Sequence, residues 1–167
     1  MLKYVNHDIV FQEIPDEVTL AINVSECPYA CPECHSDYLR NDIGIPLTEE
    51  SLENMILPYR HAITCCCFMG GDAEPDEVMR LAAFIKNKYD GKIKTGWYSG
   101  RKDFPENFIR HVFDYVKIGP YQNEKGSLKD RSTNQRLYHF LPNGSKEDIT
   151  SHFWKQVEQE KSNGVKR

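Results

Sequence analysis

The stretch from His61 to Gly100, HAITCCCFMGGDAEPDEVMRLAAFIKNKYDGKIKTGWYSG, constrains the fold more than any other part of this chain. HAITCCCFMGG reads as a buried strand stopped by two glycines. EPDEVMRLAAFIKNKYDG then has Pro75 near its first turn, acids beside it, and Gly91 past its end. Val78, Leu81, Ala82 and Ile85 fall on one side, so the segment predicts an amphipathic helix. KIKTGWYSG follows as a second strand. Strand, helix, strand at this pitch is a βαβ unit, whose strands run parallel and whose crossover is right-handed.

The pattern extends in both directions. VTLAINVS (Val18 to Ser25) predicts an earlier buried strand. LTEESLENMILPYR predicts a helix capped by Thr48, with Leu52, Met55 and Ile56 at helical spacing and Pro58 at its end. DFPENFIRHVF reads as a short helix, Asp114 to Gly119 as a fourth strand and LYHFL as a fifth. Thr150 to about Ser162 reads as a terminal helix, leaving NGVKR frayed. The expectation is an α/β domain spanning residues 1–167, with a mainly parallel sheet of about five to six strands and flanking helices. So few strands cannot close an eight-stranded barrel. In such sheets functional groups gather beyond the carboxyl ends of the strands. Cys27, Gly70-Gly71, Ser99-Gly100 and Gly119 all follow strands at that end.

A net charge of -4 argues against a general nucleic-acid or anionic-membrane binder. No apolar run approaches the roughly 20 residues that span a bilayer. MLKYVNHDIVFQEIPDE lacks the continuous apolar stretch of a secretory signal, so a cytoplasmic location is expected. In that reducing compartment the six cysteines are expected to serve metal binding or packing rather than disulfides.

SECPYACPECHS spaces Cys27, Cys31 and Cys34 as C-x3-C-x2-C. Three thiolates are one ligand short of a structural zinc site, which His61 or one of Cys65 to Cys67 would have to complete. The other reading is an iron–sulfur cube held by three cysteines, with one iron open to an outside ligand. Cys65, Cys66 and Cys67 lie within a strand and must alternate faces, so core packing is their expected role. FMGGDAEP runs a strand through two glycines and an acid into a helix start. Bare backbone there admits a close ligand, the helix start favours an anionic group, and Asp72 can accept from an ammonium. A small zwitterion beside the cysteines fits that turn.

Taken in order, CPYACPECHS, MGGDAEP, WYSG, YVKIGPY and STNQRLY resemble the radical S-adenosylmethionine (SAM) enzymes. Within them they resemble the activating proteins of anaerobic ribonucleoside-triphosphate reductases, a kind of glycyl-radical activating enzyme. The likeness runs from about Phe11 to Phe140. It implies a partial, open TIM-type barrel, and a [4Fe–4S] cluster on Cys27, Cys31 and Cys34 whose fourth iron is chelated by SAM. Reductive cleavage of SAM would yield a 5′-deoxyadenosyl radical that takes a glycine Cα hydrogen from the reductase. A low-potential donor such as flavodoxin or ferredoxin would supply the electron.

The same resemblance assigns SAM contacts to Gly70, Gly71 and Asp72, although the family's acid is a glutamate. Many of these enzymes carry an aromatic residue before the third cysteine. This chain has Glu33 there and His35 just after, leaving the adenine to His35 or Tyr29. Ser99 and Lys117 are candidates for the SAM carboxylate or ribose. Trp97 and Tyr98 should occupy opposite faces of their strand. The stretch from Gly119 to Arg136 is long for a loop and reads as a docking surface for the reductase, with Tyr121, Asn134 and Arg136 as candidate contacts. Two other readings stand beside this one. One is a different small radical SAM enzyme, either the activase of another glycyl-radical enzyme or a synthase of the deazaguanine type. The other is a non-catalytic iron–sulfur or zinc module.

Overall fold

The computed structural model describes residues 1–164. Eight strands form one sheet: β1 (Lys3–Val10), β2 (Thr19–Val24), β3 (Ile45–Pro46), β4 (Cys65–Met69), β5 (Lys94–Tyr98), β6 (Tyr115–Ile118), β7 (Arg136–Phe140) and β8 (Lys146–Asp148). Three helices accompany it: α1 (Glu49–Ile56), α2 (Pro75–Lys88) and α3 (Ser151–Ser162). The strand order is β3-β1-β2-β4-β5-β6-β7-β8.

This corrects the expected fold class. The sheet is a mixed one of eight strands with three short helices, not a mainly parallel sheet of five or six strands with flanking helices in an open TIM-type barrel. β2, β4, β5 and β6 pair in parallel, but the pairings of β1 with β2 and β3, of β6 with β7, and of β7 with β8 are antiparallel. The physical reason lies in the connections. α1 and α2 span the crossovers that bring β4 and β5 in parallel, and residues 99–114, with one 3-10 turn, make a third crossover to β6, whereas the chain from β6 doubles back to β7 and β8 folds back on β7 as a hairpin. A chain that returns without a crossover pairs antiparallel. The edge strands β3 and β8 are two and three residues long and exposed, with no apolar run to mark them.

Local chemistry places α1 and α2 as expected. Thr48 Oγ1 accepts from the Ser51 amide at 3.1 Å while Ser51 Oγ accepts from the Thr48 amide at 2.7 Å, a reciprocal cap. Pro75 sits in the first turn of α2. DFPENFIRHVF does not form the expected helix. It holds only a 3-10 turn at Arg110–Val112, and its rings stack in series, Phe104 on Phe108 at 4.7 Å and Phe108 on Phe113 at 5.8 Å. Of the NGVKR end, Asn163 and Gly164 follow α3, and 165–167 lie outside the described residues.

The two faces of the sheet have different cover. Leu20, Ile22, Cys66, Phe68, Trp97 and Val116 pack with the apolar sides of α1 and α2. Cys65, Cys67, Tyr115 and Leu137 face the other way and pack with Ile14, Ile149 and Phe153. Period-two alternation thus sends Cys66 to one core and its neighbours to the other, and separates Trp97 from Tyr98, as the sequence requires. Burying a large apolar side chain contributes about 1.5–3 kcal/mol, so both cores are needed. Ile14 belongs to the loop between β1 and β2, which lies across the second face. Tyr98 Oη donates to the Glu13 carbonyl there. Among the described residues, no helix is long and apolar enough to cross a membrane.

Candidate functional site

The cysteine loop leaves the end of β2 and is tied at its neck. The Glu26 amide donates to the Asn41 carbonyl at 3.2 Å and the Cys27 amide to the Leu39 carbonyl at 2.9 Å, with Leu39 buried as a plug. Ser25 Oγ donates to the Ile43 carbonyl at 2.7 Å. Inside the loop the Cys34 amide donates to the Cys31 carbonyl at 3.3 Å, and Arg40 Nη2 donates to that same carbonyl at 2.8 Å. Cys27, Cys31 and Cys34 are free and half-buried. Burial pushes the Cys27 thiol above its usual range.

Beside this loop lie the ends of β4, β5 and β6. Gly70 and Gly71 have φ of 109° and 97°, a region that side chains rarely adopt, and a Cβ on Gly71 would meet Val78 Cγ2 at 2.5 Å. Trp97 Nε1 donates to the Gly70 carbonyl at 2.8 Å and fixes the turn from below. Asp72 is buried. Its Oδ1 accepts from Ser99 Oγ at 2.5 Å and its Oδ2 from the Gly100 amide at 2.8 Å. Arg101 Nη2 donates to the Asp72 carbonyl at 3.3 Å. The Gly119 amide donates to the Arg101 carbonyl at 2.5 Å. Three strand ends are therefore cross-tied into one platform.

A cavity of about 470 Å³ opens over this platform, within the range of small-molecule sites. Cys27, Cys34, His35, Gly70, Asp72, Ser99, Lys117 and Tyr121 all line it. Lys117 is nearly buried and donates to the Gly119 carbonyl at 3.0 Å, with the Tyr98 ring 5.7 Å away. Burial lowers its ammonium to about 8, against the opposing pull of Asp72. An ammonium so buried is a charge kept at a desolvation cost where it faces the cavity.

Other expected site residues fall differently. Glu33 is exposed with φ of 59° and does not line the cavity. His35 is exposed at the rim, its ring 6.3 Å from that of Tyr121. Asn134 uses its side-chain amide on the Pro120 carbonyl at 2.9 Å, and Arg136 lies 3.8 Å from Asp148 on β8. Both brace the loop and the sheet edge. Gly71 shapes the turn without lining the cavity.

Sequence reasoning missed several lining residues, among them Asn23, Gln12 and Glu13. Asn23 was findable, since alternation puts it on the face opposite Ile22 and Val24. Gln12 and Glu13 come from a loop whose meeting with the Gly119 to Arg136 stretch has no local signal. Lys129 and Gln135 of that stretch line the cavity as well, Lys129 Nζ donating to Gln12 Oε1 at 2.9 Å.

Among the described residues, no group of three or more His, Cys, Asp or Glu side chains is arranged to hold a metal ion. The fourth ligand a zinc site would need is out of reach. Cys65 to Cys67 are fully buried in the two cores, and His61 precedes β4, at the opposite end of the sheet from Cys27. A cube asks for something else. Its cysteines hold different irons and need not converge on one point. Three free thiols in eight residues, two of them (Cys27 and Cys34) lining the cavity, fit that donor set. Comparison with protein-family models, with curated proteins and with solved structures finds no match for this chain.

Proposed function

We propose that this chain is a radical SAM activase that installs a glycyl radical on an anaerobic ribonucleoside-triphosphate reductase. One juxtaposition carries the reading: Cys27 and Cys34 share a cavity with Gly70, Asp72, Ser99 and Lys117. Cys27, Cys31 and Cys34 would hold a [4Fe–4S] cluster. When bound, that cluster would supply the electron for reductive cleavage of SAM, the chemistry that glycine Cα hydrogen abstraction requires.

The chain's own residues bind, orient and exclude water. Lys117 offers its ammonium to the SAM carboxylate. The Gly70 backbone allows close approach at the turn. Asp72 fixes Ser99 and Gly100 in place and keeps acceptor capacity toward the SAM ammonium. A cavity of this size suits one cofactor-sized ligand, so a substrate glycine must arrive at its mouth on a protein loop. Tyr121 and His35 stand there to receive it. A low-potential flavodoxin or ferredoxin completes the system. Six free cysteines suit a reducing cytoplasm.

Anaerobic reconstitution with iron and sulfide tests the proposal. The chain should take up a [4Fe–4S] cluster, release 5′-deoxyadenosine from SAM under reduction, and raise a glycyl-radical signal on added reductase. Tightly held zinc in place of iron, or a cluster that never cleaves SAM, overturns it.

A further inference from the structure

We propose that Tyr29 is a positioning residue that seats the cysteine loop on the bare backbone of Gly100, and so sets the thiols against the cavity. The inference rests on the reading above for its purpose, but the seat is a property of the chain alone. Tyr29 lies in the three-residue gap between Cys27 and Cys31. Its ring is so close to Gly100 that a Cβ there would meet Cδ2 at 2.7 Å and Cε2 at 3.0 Å. Gly100 is glycine because a ring occupies the place of its side chain.

The surface under that ring is rigid. The Gly100 amide is held by Asp72 Oδ2 at 2.8 Å, and its neighbours by Ser99 Oγ on Asp72 Oδ1 and by the Arg101 amide on Ser99 Oγ at 3.0 Å. The neck bonds at Glu26 and Cys27 anchor only the ends of the loop, and Arg40 holds Cys31 from an exposed side chain. Tyr29 supplies what those bonds lack, a contact from the middle of the loop to the strand-end platform. No hydrogen bond from its hydroxyl is needed for this. The ring is half-buried, and burial pushes the phenol above its usual range. The contact is made by ring carbons, Cδ2, Cε2 and Cγ, so phenylalanine should serve as well.

The coupling also explains why Asp72 is buried with both oxygens engaged. It stiffens the seat on which the thiol loop rests, and links the Gly-Gly-Asp turn to the cysteines without touching them.

The test reads alkylation of each cysteine by iodoacetamide in the reduced, metal-free full chain, with Cys65 to Cys67 as internal controls for folding. Tyr29→Ala and Gly100→Ala should each speed labelling of Cys27 and Cys31 on the order of tenfold, as loss of one aromatic contact implies. Tyr29→Phe should label like the natural chain. The double variant Tyr29→Ala/Gly100→Ala should label no faster than Tyr29→Ala, because the clash is already relieved. If Gly100→Ala unfolds the chain and exposes Cys65 to Cys67, adding Tyr29→Ala should restore their protection. Unchanged labelling in Gly100→Ala, additive effects, or failure of that rescue overturns the seat.

In the reconstituted protein, Tyr29→Ala should blunt the change that SAM makes in the cluster's paramagnetic signal, and Tyr29→Phe should preserve it. An unaltered response in Tyr29→Ala overturns the positioning role. A natural chain that takes up no cluster sinks the proposed function but not the seat, which labelling decides by itself.

Discussion

Replacing Lys117 with methionine should make this protein more stable near neutral pH, not less. Lys117 is 8% exposed, points into the cavity, and has the Gly119 carbonyl at 3.0 Å as its hydrogen-bond acceptor. Burial lowers its ammonium from 10.5 to about 8. That difference corresponds to roughly 3 kcal/mol of destabilisation whenever the folded side chain is charged. The sign follows from proton counting. Between pH 8 and 10.5 the unfolded chain binds the proton and the folded chain does not, so stability of the natural protein rises with pH across that window. Below pH 8 the full penalty is present. Methionine has similar length and no charge, so Lys117→Met should gain about 2–4 kcal/mol at pH 7, an increase of about 1–2 M in the urea midpoint. The gain should shrink as the pH approaches 10. Urea unfolding of the metal-free protein at pH 7 and at pH 9.5 measures both. A variant less stable than the natural chain at pH 7, or a difference independent of pH, would refute the account of Lys117 as a cation held at a cost for an anionic ligand. SAM binding should fall in the same variant, because stability and function pull apart at such a site.

Three further outcomes follow from the same geometry. Asp72→Ala leaves the buried Ser99 hydroxyl and the Gly100 amide without an acceptor and should destabilise by about 2–4 kcal/mol in urea unfolding. Gly71→Ala adds a Cβ at a φ of 97° and 2.5 Å from Val78 Cγ2, and should lose about 2–5 kcal/mol by the same assay. Although burial raises the Glu17 carboxyl, bonds from Lys94 at 2.5 Å and Tyr115 at 2.8 Å outweigh it and hold the group below its usual value. Its contribution is present above the unfolded value of 4.5 and lost as pH falls through the lower folded one, so Glu17→Gln should flatten stability against pH in the acid range.

The residues that announced themselves in the sequence were those whose partners are near in the chain. Thr48 caps α1 through Ser51, and Pro75 with its acids starts α2. The alternation of Cys65 to Cys67 was readable because a strand fixes its own two faces. The antiparallel flanks were not readable in the same way. β3 and β8 are short, exposed edges, and they become strands only because β1 and β7 offer them a ladder. Ile14 is wholly buried, yet it sits in a polar loop whose course across the sheet depends on Cys65, Cys67 and Leu137. Asp72 looked like a ligand in a turn. Its engagement with Ser99 and Gly100, more than 25 residues on, is a tertiary fact with no local mark. The cysteine trio stood out by spacing, but its seat on Gly100 needed the fold.

The most direct test of the central claim is an electron paramagnetic resonance spectrum of the anaerobically reconstituted, reduced protein, recorded with and without SAM. The account predicts a [4Fe–4S]⁺ signal in the natural chain whose g-values shift when SAM is added, and loss of the signal when Cys27, Cys31 or Cys34 is replaced by alanine. A cluster signal indifferent to SAM, or no cluster at all, would contradict it.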